Sequence, residues 1–180
     1  SECLCSDNRN EYLTQEEIDG ELKQAFGLKR VLWVDSGSLS GDDTDSHIDI
    51  LARFCDPETI AYLKSDNPKD PDYESLMNME AQLQSFRTLD GKPYRLVPLP
   101  KPEQMFLDDY PLPASYANFL IINGAVLVPG SGSELDEVAR TRLQEVFPDR
   151  EVIVIDCRPL LSGHGGLHCV TMQFPEGWLE

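Results

Sequence analysis

Near the C-terminal end of the chain, Cys169 follows a loop in which three glycines surround a histidine, Gly163-His164-Gly165-Gly166. Only glycine enters positive φ without steric cost, so such a loop bends sharply or lets a ligand approach its backbone. Beyond it, Cys169, Thr171 and Gln173 alternate with Val170, Met172 and Phe174, the pattern of a strand buried on one face. A thiol where a turn becomes a strand is held by a scaffold yet open to substrate, as a nucleophile must be. The same position also suits a small, inert packing cysteine.

A second stretch, residues 41–54, brings other reactive types. From Ser46 onward the pattern alternates, so a period of two puts His47, Asp49 and Leu51 on one face and Ile48, Ile50 and Ala52 on the other. An imidazole and a carboxylate then project side by side. Acidic residues dense enough to form a solvated loop account for Asp42 and Asp43; Asp49 differs, because isoleucines flank it inside the expected strand. Zinc would accept Cys169, His168, His47 and Asp49 by ligand type, but their assigned faces make joint ligation awkward, and no metal or cofactor is expected. Gly130-Ser131-Gly132 is a single G-x-G, too little to specify a phosphate site.

The elements that must position these residues follow from the periodicity. Thr14-Gln15-Glu16-Glu17 is a capping-box start, apolar residues at Ile18, Leu22, Ala25 and Phe26 continue at helical spacing, and Gly27 stops the helix. Residues 31–34 read as a short buried strand. A strand from 46, a return strand over 59–63, a helix from 71 to about 86 and a strand over 94–99 make one ββαβ unit. Residues 98–113 form a proline-rich connection. The unit then recurs: a strand over 116–122, a turn at Asn123-Gly124, a strand over 125–129, a helix over 134–146 and a strand over 151–155. A third copy begins at His168 and stops after one strand. Leading strands thus start near Ser46, Ser115 and His168, and their polar residues are expected to face a shared axis.

Composition excludes several classes. The 180 residues are 41% hydrophobic, enough for one compact core, and no apolar run reaches the length of a membrane span. No secretory leader is visible. Five cysteines at irregular spacing argue against a disulfide framework or a zinc ribbon, which makes a reducing cytoplasm the expected location. A formal net charge of −17 excludes ordinary nucleic-acid binding, which needs a positive surface, and it raises the local concentration of small cations. The same acidity also promotes solubility.

Three segments together resemble one family: 41–49 (Gly-Asp-Asp-Thr-Asp-Ser-His-Ile-Asp), 113–119 (Pro-Ala-Ser-Tyr-Ala-Asn-Phe) and 165–173 (Gly-Gly-Leu-His-Cys-Val-Thr-Met-Gln). They are similar, in this order, to the agmatine deiminases and bacterial peptidyl-arginine deiminases. Glu2-Cys3-Leu4 with Asn8-Arg9-Asn10 extends the resemblance over the whole chain. It implies an α/β fold, here a partial pentein: an α/β propeller of repeated ββαβ modules around a pseudo-fivefold axis. In that frame residues 1–36 end one module, 37–100 and 101–158 are modules, and 159–180 begin the last.

The chemistry the resemblance implies is hydrolysis of a guanidinium to a ureido group and ammonia, with agmatine giving N-carbamoylputrescine. Cys169 would attack to form a covalent thiouronium, and His47 would serve as acid and then base. Asp49 would take paired hydrogen bonds from the guanidinium. Asn118 holds the place on its strand that Asp49 holds on the first, as a substrate contact or as a core amide satisfying backbone. Gly166 joins Asp49 and Asn118 as a substrate-side candidate, although shaping the loop is its first role. His168 should face away from the site if its strand is regular. Family members are considerably longer, so this chain resembles their C-terminal half and is expected to need the N-terminal half, or self-association as in a homodimer, to complete the ring. Peptidyl-arginine is the alternative substrate, and a non-catalytic assembly module the alternative role.

Overall fold

The computed structural model describes residues 1–42 and 46–178. Asp43, Thr44 and Asp45 of the acidic loop lie outside the described residues, as do 179 and 180. The architecture is mixed α/β with small sheets. After a short helix α1 (Asp7–Asn10), α2 (Gln15–Phe26) starts where Thr14 and Glu17 cap each other reciprocally and ends at Gly27 with φ of 64°. That is the expected helix, cap for cap.

Two ββαβ units follow. In the first, β1 (Ala52–Asp56) and β2 (Thr59–Lys64) form an antiparallel hairpin, α3 (Tyr73–Ser85) crosses over, and β3 (Arg95–Pro100) returns parallel to β2 with Thr59 opposite Arg95. Between the units lies a two-stranded ribbon, β4 (Met105–Leu107) and β5 (Tyr110–Leu112). The second unit repeats the order of the first: β6 (Leu120–Ile122), β7 (Ala125–Gly130), α4 (Leu135–Val146), and β8 (Glu151–Asp156) parallel to β7. A single turn of helix, α5 (Arg158–Leu161), precedes the glycine loop.

Burial follows the periodicity. Helix α3 buries Leu76, Met79 and Leu83, and α4 buries Ala139 and Leu143, against strands whose Leu63, Leu99, Val126 and Val128 are fully enclosed. One apolar cluster runs through both units, joined by Tyr116, Ala117 and Phe119. Burying a leucine or valine side chain contributes about 1.5–3 kcal/mol, so this shared cluster is what fixes the units against each other. Tyr116 also donates to Asp136 Oδ1 (2.6 Å), which accepts from the Ser131 amide (2.8 Å), while Oδ2 accepts from the Gly132 amide (2.9 Å). The amides of the Gly130-Ser131-Gly132 loop are therefore engaged by a carboxylate of the protein itself. Burial and the Asp136 hydrogen bond push the Tyr116 hydroxyl up to about 12.

Four expectations are corrected. Residues 31–34 form no strand. The strand expected over 116–122 begins only at Leu120, after a turn at Tyr116 and Ala117, while the connection over 98–113 holds the β4–β5 ribbon, turned by Asp108 and Asp109 at φ of 47° and 67°, where Pro111 is tolerated on an edge. The strand expected from Ser46 begins only at Ala52, after a 3-10 turn over Ile48–Ile50. The strand expected from Cys169 is absent; His168–Val170 is a 3-10 turn, and Val170, Met172 and Phe174 stand exposed. An alternating pattern states which faces a strand would have, but a strand forms only where a neighbour completes its ladder.

Candidate functional site

Three single turns, rather than three strands, carry the candidate residues. The first is closed by the Ile50 and Leu51 amides on the His47 and Ile48 carbonyls (3.3 and 3.0 Å), the second by the Asn118 amide on Ser115 O (3.3 Å), the third by the Thr171 amide on His168 O (3.1 Å). Each tight turn leads toward, or replaces, the first strand of a unit. Ser115 Oγ locks the first two together by donating to Ile50 O (2.6 Å) and accepting from the Ala117 amide (3.1 Å).

Where the turns meet, Asp49, Asn118 and Cys169 converge. Asn118, 1% exposed, donates from Nδ2 to Asp49 Oδ2 (3.0 Å) and reaches Cys169 Sγ at 3.5 Å. Its Oδ1 accepts from the His168 amide (2.9 Å). The Cys169 sulfur lies 3.7 Å from both Asp49 Oδ2 and Asn118 Oδ1 and is exposed. One buried amide thus reads the carboxylate, the thiol and the backbone of the third turn at once, more than the satisfaction of backbone groups alone requires.

Gly166 explains how the third turn gets so close. A Cβ there would stand 2.2 Å from Asn118 Oδ1, far inside contact distance, so only glycine lets the loop close over the amide. Its observed partner is therefore Asn118.

His168 departs from its expected direction. Because its residue sits in a 3-10 turn, the side chain does not alternate away from Cys169, and Nδ1 lies 2.8 Å from Asp49 Oδ2. A carboxylate supplies only acceptors, so this nitrogen carries the proton in that contact. The sequence signal was ambiguous: a histidine beside the cysteine was visible, and the assumed strand turned it the wrong way. Arg53 was also passed over. Its guanidinium packs 5.1 Å from the Phe119 ring centroid and donates to Phe119 O (2.9 Å). Burial lowers its pKa from the ordinary value, while Asp49, Cys55 and Cys169 pull it back up, which makes it a fixed positive charge near the thiol and the carboxylate.

His47 makes its contact elsewhere. It precedes the first turn, and its Nε2 lies 2.6 Å from Arg9 Nη2. Arginine has only donors, so Nε2 accepts there and the ring proton sits on Nδ1. His47 and Asp49 both line a cavity of about 520 Å³ walled by residues 1–4 and 31–37. No hydrogen bond joins His47 to Cys169 among the described residues. Nor is there among them a group of three or more His, Cys, Asp or Glu placed to hold a metal ion, or a helix long and apolar enough to cross a membrane.

Residues 1–175 match the family model described as Porphyromonas-type peptidyl-arginine deiminase. The chain belongs to this family. Among its relatives is the agmatine deiminase of Pseudomonas syringae pv. tomato, 32% identical over 97% of this chain and 52% of that protein. A solved structure from Porphyromonas gingivalis superposes with a TM-score of 0.95 at 56% identity, over 98% of this chain and 52% of that one. A C. Jejuni agmatine deiminase with substrate bound gives a TM-score of 0.88 at 39% identity, over 94% and 49%. The chain spans about half the length of the curated relatives it matches, their C-terminal half.

Proposed function

We propose that this deiminase-family chain supplies the nucleophile side of a guanidine-hydrolysing site and that the whole protein converts agmatine to N-carbamoylputrescine and ammonia. The observation that carries the reading is the convergence of Cys169, Asn118 and Asp49 from three separate turns, with the sulfur 3.7 Å from the carboxylate. In this reading the chain is part of a pentein ring, with residues 1–36 ending one module, 37–100 and 101–158 forming two, and 159–180 beginning the last.

The chemistry runs in two halves. The Cys169 thiol gives its proton to His47 Nε2 and the resulting thiolate attacks the guanidinium carbon; the C–N bond breaks as His47 passes that proton to the departing ammonia, leaving a thiouronium on sulfur. Water then gives a proton to His47 and attacks the same carbon; the C–S bond breaks, returning the thiolate and releasing the ureido product. Asp49 holds the planar cation by paired charge-assisted hydrogen bonds, which requires its Oδ2 to exchange His168 for substrate. Likewise His47 must release Arg9 before Nε2 trades a proton with substrate. Both exchanges suit a site that is completed by further polypeptide. The acidic chain favours a small cation, and the five free thiols fit a reducing cytoplasm.

The test is a ureido-product assay with agmatine and with an arginine peptide, on this chain alone and with the N-terminal half restored. Product is expected only from the restored form, from agmatine, and none from Cys169→Ala. Turnover by that variant would rule out the covalent route. The family's description names peptidyl-arginine, so preferential turnover of the peptide would establish the second substrate instead.

A further inference from the structure

The stretches Glu2-Cys3-Leu4 and Asn8-Arg9-Asn10 fold together into a knot beside His47. Ser6 holds its middle: the hydroxyl donates to Cys3 O (3.1 Å), and the carbonyl accepts from the Arg9 and Asn10 amides (both 3.0 Å). Asn10 Nδ2 then reaches back to Leu4 O (2.7 Å). Helix α1 is thus tied to residues 3 and 4 by polar groups, and none of its own residues is buried. A single turn that buries nothing gains little from packing. Its effect is to aim side chains.

Two of them meet consecutive residues. Glu2 Oε2 accepts from the Ser46 hydroxyl (3.1 Å), at a residue whose φ of 57° is seldom adopted by anything but glycine. Arg9 Nη2 donates to His47 Nε2 (2.6 Å). The first contact holds the backbone that enters the histidine; the second holds the ring itself. The Arg9 contact also selects a chemical state. A guanidinium has five donors, no acceptor and a permanent charge, so it bonds His47 only when Nε2 carries a lone pair. A doubly protonated ring offers it nothing, and neither does a neutral ring with its proton on Nε2. Of the three states of this side chain the contact admits one, the neutral ring protonated on Nδ1. That is the state able to receive the Cys169 proton at Nε2.

We propose that Arg9 is a positioning residue for His47: it keeps Nε2 unprotonated and orients the ring until the thiol takes its place as donor. The step balances. The S–H bond of Cys169 breaks, an N–H bond forms at Nε2, and the hydrogen bond from Arg9 is lost, because two donors that are both positive now face each other. Arg9 then stands clear of Nε2, and the proton is free to pass to the departing ammonia. This inference rests on the functional reading for the step that Arg9 prepares; the tautomer that Arg9 selects does not depend on it.

Nitrogen-15 NMR of the imidazole rings reports which nitrogen carries the proton, and the chain has three histidines to assign. In the 180-residue chain the neutral His47 ring should carry it on Nδ1. Arg9→Met should move part of the population to the Nε2–H form, and Arg9→Lys, which keeps a cationic donor, should retain the Nδ1–H form. Arg9 is exposed, so neither variant removes buried surface. In the protein with the N-terminal half restored, Arg9→Met should lower kcat for agmatine by about 10-fold or more while KM changes by less than about 2-fold, and Arg9→Lys should recover part of the loss. Wild-type His47 protonated on Nε2, or the same tautomer in Arg9→Met, overturns the inference. So does a kcat of Arg9→Met at or above wild type, which makes Arg9 an obstacle, and so does an equal loss in both variants, which leaves it a brace alone. A raised KM at constant kcat overturns it too, since Arg9 then touches substrate. A restored protein that makes no ureido product while the tautomer follows Arg9 removes the activity and leaves the selection of the ring state standing; product with a tautomer blind to Arg9 does the reverse.

Discussion

The two complete ββαβ units and the two ends of the chain obey the same sequence grammar and meet different fates. Over 52–100 and 120–156, alternating apolar residues find partner strands and their helices bury three and two residues. At the ends the same grammar produces a helix, α2, with Phe26 exposed, and extended or turned backbone with exposed Met172, Phe174 and Trp178. Propensity is alike in both regions. The difference is a neighbour: a strand is a property of a pair, and an end that lacks its pair keeps the pattern without the ladder.

That contrast can be broken by mutation. In the units, Leu63→Ala or Leu99→Ala, each at a fully enclosed site, should lower unfolding free energy by about 2–5 kcal/mol in denaturant titrations; a loss under 1 kcal/mol would mean the units are as loosely held as the ends. Gly166→Ala comes next. It forces a methyl against Asn118 and should cost about 1–3 kcal/mol of overpacking, with displaced Asn118 side-chain amide resonances by NMR.

A smaller effect depends on pH. Burial raises the Asp136 carboxyl, but the Tyr116 hydroxyl and the Ser131 and Gly132 amides outweigh it, and its pKa is lowered. A lowered folded pKa contributes stability above the unfolded value of about 3.9 that is lost as pH falls through the folded one. Asp136→Asn should therefore cost about 1 kcal/mol near pH 7 and progressively less below about pH 4. A difference independent of pH would remove the carboxylate from the account. Smallest of all, Met172→Ala, at an 81% exposed site, should shift the stability of this chain by less than about 0.5 kcal/mol.

How much of this was legible follows the same division. The capping box at Thr14, the Asn123-Gly124 hairpin and both strand-helix-strand crossovers were readable because local chemistry and nearby partners agree there. The candidate site was readable in its residue types and not in its geometry. A period of two was assigned to 46–51 and 168–173, where tight turns run instead, so Asp49 meets Asn118 and Cys169 from a turn and not from the face of a strand, and His168 was turned away from a carboxylate it touches. Arg9 on His47 and Gln82 on 31–35 were out of reach, since no local pattern reports a contact between residues 38 or 47 positions apart.

The most direct trial of the convergence is to trap the intermediate. Protein with the N-terminal half restored, quenched in acid during turnover of agmatine and mapped by mass spectrometry, should carry the substrate's amidine fragment on Cys169 and on none of Cys3, Cys5, Cys55 or Cys157. Burial pushes the Cys55 thiol up to about 11 and raises that of Cys157, so neither competes as a thiolate. Steady turnover with Cys169 unmodified, or an adduct on a different cysteine, would contradict the account.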